Sequence, residues 1–258
     1  LAYVANGSSA LQILNVANPF APTLVGSYNT PGYASDVIVR SNLAFVADGS
    51  SGLLILNVSN PASPTAMGNY ASNSLSMERI CLAGDHVVVA GSVMLVIDAM
   101  NPASPTETGR IGRYFSGLAV QDQTIFAVAS DGLTSISFTN PAQPVVLGTT
   151  PSYSEMSGMS SVRVVNDLVY ATGSASSPGK LHVFDARDAR EPIPVGYYAN
   201  AAKAETLWVE GNRVYLASSG STVQVVQTPF NLAPRPPAWL ALAPLANLHL
   251  ETHGRSGL

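Results

Sequence analysis

A single cysteine, Cys81, in a chain of 258 residues excludes any disulfide within the chain. It lies in an apolar stretch, Arg-Ile-Cys-Leu-Ala, and reads as a small buried hydrophobe. Charge is scarce as well. Asp, Glu, Lys and Arg make up 11% of the residues, against about 25% in ordinary globular domains. The only lysines are Lys180 and Lys203. Twelve basic and sixteen acidic residues leave a net charge of −4. That is no footprint for a polyanion, and no nucleic-acid partner is expected. No apolar run nears the ~20 residues of a spanning helix, so no membrane insertion of this segment is expected. The chain opens at Leu1, inside a repeated unit, with no basic-plus-apolar leader. A leader upstream is left open.

Catalytic signatures are missing too. There is no glycine-rich phosphate loop, nucleophile elbow, Ser/His/Asp order or His/Cys metal spacing. Of the four histidines, His86 and His182 fall on strands of different repeats, and His249 and His253 fall in the tail. They make no zinc set. Asp48-Gly49-Ser50 and Asp131-Gly132 look like pieces of calcium loops, but the further acidic ligands are absent and turn chemistry accounts for them. No cofactor and no metal is expected.

What is there is a unit of about 40 residues, written about five and a half times. Each copy centres on an apolar strand: Leu11–Asn15, Leu53–Asn57, Met94–Asp98, Thr134–Phe138, Leu181–Asp185 and Val223–Gln227. Asn-Pro-x-x-Pro follows at Pro19/Pro22, Pro61/Pro64, Pro102/Pro105 and Pro141/Pro144. The fifth copy keeps only Pro192 and Pro194, and the sixth Pro229. A fixed period of short apolar strands means stacked or radial β modules.

The second unit shows the parts. Ala34–Arg40 alternates, with Val37 and Val39 on one face. Ser41-Asn42 turns the chain into Leu43–Ala47, the loop Asp48–Gly52 leads to Leu53–Val58, and Asn60-Pro61 ends the pairing because proline lacks the ladder N–H. Thr65–Tyr70 is a short outer strand with Gly68. The first turns of successive units are Ser41-Asn42, Gly84-Asp85, Asp122-Gln123, Asn166-Asp167 and Gly211-Asn212. Such two-residue turns demand positive φ, which Gly, Asn and Asp tolerate. Outer-strand glycines recur at Gly26, Gly68, Gly109, Gly148 and Gly196.

The expected fold is therefore all-β: a β-propeller of four-stranded antiparallel blades, five to six of them visible over residues 1–230. A solenoid of the same units is the structural alternative. The chain supplies three strands of the first unit, four complete units, and three strands ending near Val226. Ring closure is left open. Residues 231–238 (Asn231–Ala238) read as a proline-rich linker. Residues 239–258 read as a tail or the start of a second β domain, which suggests a larger multidomain chain.

The strand-plus-proline unit resembles the LVIVD repeat family of bacterial and archaeal β-propellers. LLILNVSNPASP (Leu53–Pro64), LQILNVANPFAP (Leu11–Pro22) and MLVIDAMNPASP (Met94–Pro105) carry the resemblance. Asn57 and Asn15 stand where the family has aspartate, Asp98 and Asp185 keep it, and Phe138 falls at that place in the fourth copy. These departures argue for a turn-tying role over metal binding. The resemblance implies a secreted or envelope-exposed module without established enzymatic activity, and it carries no catalytic residue over.

The best candidate surface is the mouth where outer-to-inner loops meet the second hairpin loops. Those loops hold Tyr33, Tyr70, Tyr114, Phe115, Tyr153 and Tyr198. Aligning inner strands by their turns puts Asp36, Arg79, Gly117, Ser161 and Thr206 at one level near the channel entrance, with Glu78 and Glu205 one position earlier and Arg113 and Glu155 in nearby loops. Aromatics with a few charges suit a protein or glycan partner, although tyrosines can equally cap blade edges. A non-catalytic binding module is expected. The competing classes are a hydrolase or lyase with a carboxylate pair at the mouth and a plain spacer.

Overall fold

The computed structural model describes residues 1–71, 75–150, 158–173, 179–200, 204–218 and 222–228. They form six antiparallel sheets, in which successive strands pair in chain order. The first sheet holds β1 (Ala2–Ala5), β2 (Leu11–Asn15) and β3 (Thr23–Tyr28). The second holds β4 (Asp36–Arg40), β5 (Leu43–Ala47), β6 (Leu53–Asn57) and β7 (Thr65–Tyr70). The third runs β8 (Met77–Ala83), β9 (His86–Gly91), β10 (Met94–Asp98) and β11 (Thr106–Ile111). The fourth runs β12 (Gly117–Gln121), β13 (Thr124–Ala129), β14 (Gly132–Ser137) and β15 (Val145–Thr149). The fifth runs β16 (Met159–Val165), β17 (Leu168–Gly173), β18 (Gly179–Asp185) and β19 (Ile193–Asn200). The sixth holds β20 (Ala204–Glu210), β21 (Arg213–Ser218) and β22 (Thr222–Gln227). No helix occurs among the described residues. This is a six-bladed β-propeller fold, and three strands in the first and last sheets with four in the others match the strand count expected from the repeat.

The chain divides into two compact units, Leu1–Ala127 with Ile136–Val146, and Val128–Ser135 with Leu147–Leu258. In the first unit the strands of the second sheet are apolar on both faces. Ala44, Val46, Leu54 and Leu56 meet Leu11 and Ile13 of the first sheet. Their sequence neighbours Phe45, Ala47, Leu53 and Ile55 meet Ile80, Val87, Val89, Leu95 and Ile97 of the third. Because successive strand residues point to opposite faces, an unbroken apolar run is what a sheet between two sheets requires. In the second unit Leu168, Tyr170, Leu181 and Val183 pack against Leu207, Val209, Val214 and Leu216 in the same way.

The turns follow the residue chemistry. Ser41, Gly84, Asp122, Asn166 and Gly211 all take positive φ, and in Asn166-Asp167 both residues do. The aspartate position of the repeat ties a turn in five copies. Asn15, Asn57, Asp98 and Asp185 each accept a hydrogen bond from the backbone N–H two residues on, at 2.9–3.1 Å. The fifth is Ser137, and here the sequence alignment needs correction. Phe138 donates its N–H to the Gln123 carbonyl just as Val58 does to that of Asn42 and Ala186 to that of Asp167. Phe138 is therefore one place further along, and Ser137 fills the aspartate position with a hydroxyl 3.4 Å from the Thr139 nitrogen. The apolar Thr134–Phe138 run hid a one-residue slip, which in a strand exchanges the two faces.

The next asparagine makes the second turn. Asn18, Asn60, Asn101 and Asn140 accept from the N–H two residues on through the side chain, and from the N–H three residues on through the carbonyl. Proline follows each of them with its φ already set for the turn. The fifth copy lacks the Asn-Pro pair but keeps the turn with Asp188.

These turns pack against the neighbouring sheet. A Cβ placed on Gly26 would overlap the Pro61 carbonyl oxygen, one on Gly68 that of Pro102, and one on Gly109 that of Pro141. In the second unit Gly148 meets the Arg190 carbonyl in the same manner. The outer strand also slips register beside each of the first three glycines. The recurrent glycine and the recurrent Asn-Pro turn are thus two halves of one contact between consecutive sheets.

Candidate functional site

The loop end of the first unit is built by a repeated bridge. Gly7 and Ala34 exchange backbone hydrogen bonds at 2.9 and 3.2 Å, and Gly49 and Met77 do so at 3.0 Å each. The Phe115 N–H bonds the Gly91 carbonyl at 3.3 Å. Each bridge ties a second hairpin loop to the entry of the next inner strand. Gly7 and Gly49 serve because both hold φ +57, where a side chain is strained.

The residue at each strand entry is a buried anchor: Ala34, Met77 and Phe115 in the first unit, Met159 and Ala204 in the second. Phe115 therefore belongs to packing. It is 0% exposed, with the Arg113 guanidinium 5.2 Å from its ring centre, and presents no surface to a ligand. Just after the anchor the ladder skips a residue in three inner strands, between Met77 and Arg79, Met159 and Ser161, and Ala204 and Thr206. The extra residues are Glu78, Ser160 and Glu205. A bulge re-aims the side chain it carries.

The Gly7 and Gly49 bridges frame an open cleft of about 710 Å³ in the first unit. Its lining comes from the loop Ala5–Ser8, from Tyr33–Ser35, from Gly49 and Ser50, and from Ser76, Glu78 and Arg79. Tyr33 stands at it 62% exposed, with its ring carbons 2.8–2.9 Å from where a Gly7 Cβ would be. Glu78 accepts from the Ser76 hydroxyl at 3.3 Å and from the Tyr114 phenol at 3.4 Å. Burial, then the Glu78 charge, pushes the Tyr114 hydroxyl above the ordinary phenol range. The Arg79 guanidinium donates to the Glu78 carbonyl at 2.9 Å.

The structure thus brings Tyr33, Glu78, Arg79 and Tyr114 together. Asp36 stands at the strand level expected, but its carboxylate is committed to backbone: Oδ1 accepts from Val37 N–H at 2.9 Å and Oδ2 from Ile80 N–H at 3.1 Å. Tyr70 lies at the end of an outer strand and donates to Glu107 at 2.6 Å. Arg110 holds the same carboxylate with two hydrogen bonds and lowers its pKa, with a smaller contribution from Tyr70. In the second unit Tyr198, on β19, packs against the apolar core, and Glu205 is exposed, its carbonyl accepting from the Ser160 hydroxyl at 3.3 Å. Tyr153 and Glu155 fall outside the described residues, as does the segment after residue 228.

Sequence reasoning missed the hairpin contribution of Asn6, Ser8 and Ser50. The signal was the glycine recurring in that loop, read as turn chemistry alone. Asp48, the chain neighbour of cleft-lining Gly49, is 0% exposed. Its Oδ2 accepts from Gly32 N–H at 2.8 Å, while its Oδ1 and the Thr30 hydroxyl are buried without a well-formed hydrogen bond. Burial pushes the Asp48 carboxyl up, against the opposite pull of the Thr30 side chain and the Gly32 N–H. Among the described residues no three His, Cys, Asp or Glu side chains cluster as a metal site. None of those residues forms a helix long and apolar enough to cross a membrane.

Comparison with known proteins bears on the fold and the repeat. The LVIVD repeat model matches residues 1–30, 31–72 and 76–112. No curated protein matches the chain. Among solved structures, a protein from Lactobacillus plantarum superposes with a TM-score of 0.73 at 11% identity, over 97% of this chain and 81% of that one. A chain in a crystal structure of the mitotic checkpoint complex gives 0.70 at 10% identity, covering 87% and 71%. The computationally designed Ika8 protein gives 0.64 at 11% identity over 86% of this chain, which spans 66% of the designed one. At such identities the likeness is one of fold alone.

Proposed function

We propose that this chain, a β-propeller whose residues 1–30, 31–72 and 76–112 match the LVIVD repeat model, is a non-catalytic binding or scaffolding module of a secreted or cell-surface protein. It presents its loop end to a protein or glycan partner. The observation that carries this reading is the Tyr33 cleft: an exposed aromatic ring backed by glycine, beside a polar floor with one carboxylate and one guanidinium. Two-carboxylate hydrolysis needs a second acid facing the first. Among the described residues Glu78 is the only carboxylate lining this cleft, and nearby Asp36 is occupied with two backbone N–H groups. Those features favour binding over the hydrolase alternative. Rigid sheets with buried faces suit a scaffold whose loops do the recognition.

The test is a glycan and peptide array probed with the full chain and with a Tyr33→Ala/Arg79→Gln double variant. Binders lost in the variant support the reading. Turnover of a polysaccharide panel that disappears in Glu78→Gln overturns it in favour of an enzyme. An array without binders leaves the spacer role.

A further inference from the structure

The cleft lining specifies more than a generic partner. Asn6, Ser8, Ser35, Ser50 and Ser76 bring an amide and short hydroxyls, and among the described residues no lining aliphatic side chain is larger than alanine. Peptide grooves take affinity and specificity from pockets for apolar or alternate side chains, and this lining offers none. A sugar presents hydroxyls that pair with such groups and a C–H face that lies on an aromatic ring. Tyr33 supplies that ring, held from behind by Gly7.

Arg79 adds a second demand. Among the described residues it makes one hydrogen bond, to a main-chain carbonyl, and has no carboxylate partner. A guanidinium carries five N–H donors in a planar fork that matches a carboxylate. Glu78, oriented by Ser76 and Tyr114, has lone pairs left for a ligand hydroxyl.

We propose that the cleft binds an acidic saccharide, with a uronic-acid carboxylate on Arg79, a sugar hydroxyl on Glu78 and the sugar face against Tyr33. This rests on the binding reading of the same cleft and narrows it to one ligand class.

The experiment is calorimetric titration of the full chain with galacturonate and glucuronate tetrasaccharides, each paired with its carboxyl-reduced analogue. Native protein, Arg79→Gln, Tyr33→Ala and, as a control away from the cleft lining, Arg213→Gln are compared, with melting curves to show that each is folded. Expected is binding of at least one acidic sugar, weakened about tenfold or more by carboxyl reduction and by Arg79→Gln. Tyr33→Ala weakens acidic and reduced sugars alike, and Arg213→Gln changes nothing. Equal affinity for acidic and reduced sugars, or acidic-sugar binding that survives Arg79→Gln, overturns the proposal. A preference for the reduced sugar over its acidic parent, lost in Tyr33→Ala, overturns it too while sparing the binding reading. If no saccharide binds in the titration and no ligand binds on the glycan and peptide array, both fall.

Discussion

The Asp36 carboxylate accepts the backbone N–H of Ile80, 44 residues later in the chain, at 3.1 Å. Asp36 begins β4 and Ile80 lies in β8, the inner strands of consecutive sheets. An inner strand pairs on one side only, and the N–H groups on its other side need partners. One carboxylate serves Val37 in its own strand and Ile80 in the next. A side chain that looked like a ligand is thus a tie between sheets.

Asp36→Ala removes both acceptors at once. The expected cost is about 1–3 kcal/mol, the range for leaving a donor without its partner, read as a lowered midpoint in urea denaturation. Repeat proteins need not unfold in one step, so the shift is sought in the earliest transition. No loss would mean that water replaces the carboxylate at both N–H groups.

Gly68→Ala sets a new methyl on the Pro102 carbonyl, a backbone atom that cannot swing aside. Gly84→Ala meets no atom within 4 Å and suffers only from its φ of +58. The second change is expected to cost about 1–2 kcal/mol, and the first distinctly more. The reverse case is Ala10, which sits at φ 90 where the second repeat uses Gly52 at φ 94. Ala10→Gly is expected to raise the thermal midpoint.

Asp48 links stability to pH. Its folded-state pKa lies above the ordinary 3.8, chiefly through burial. Between 3.8 and the raised folded value, the unfolded chain has already released a proton that the folded chain retains. Stability therefore falls as pH rises through that window and levels off above it. Asp48→Asn cannot ionise, so it is expected to be the more stable form at neutral pH. The advantage shrinks as pH drops toward 3.8. Paired melting curves from pH 3 to 7 would show the two forms converge; parallel curves would mean that Asp48 ionises in place at no cost.

Asn57→Asp is expected to leave stability unchanged, because Asp98 and Asp185 already make the same turn. Asn57→Val removes the acceptor for the Ser59 N–H and should cost about 1 kcal/mol. If Asn57→Asp alone created a calcium-dependent rise in midpoint, the position would have ligand character that the turn geometry does not call for.

Parts of this molecule could be read residue by residue. The alternation of Val37 and Val39, the turn pairs from Ser41-Asn42 to Gly211-Asn212, and the proline stops all act over a few residues, and all lie where the pattern put them. At the cleft, Tyr33, Glu78 and Arg79 were legible because repeat alignment gives each inner strand the same entry point. Phe115, an aromatic beside Tyr114, has the local pattern of an exposed loop residue. Only its equivalence with Ala34, Met77, Met159 and Ala204 marks it as an anchor.

By itself, then, the amino-acid order determined the strands, their turns, the four-strand repeat and the residue types available at the loop end. Period-two alternation and turn chemistry are local, so they survive without knowledge of neighbours. Tertiary structure alone decided that Gly68 receives Pro102, that Asp36 ties Ile80, that Asp48 is sealed from water, and which side chains share the cleft. Each of those facts joins residues brought together by the packing of one sheet on the next, and no local spacing in the chain encodes that contact.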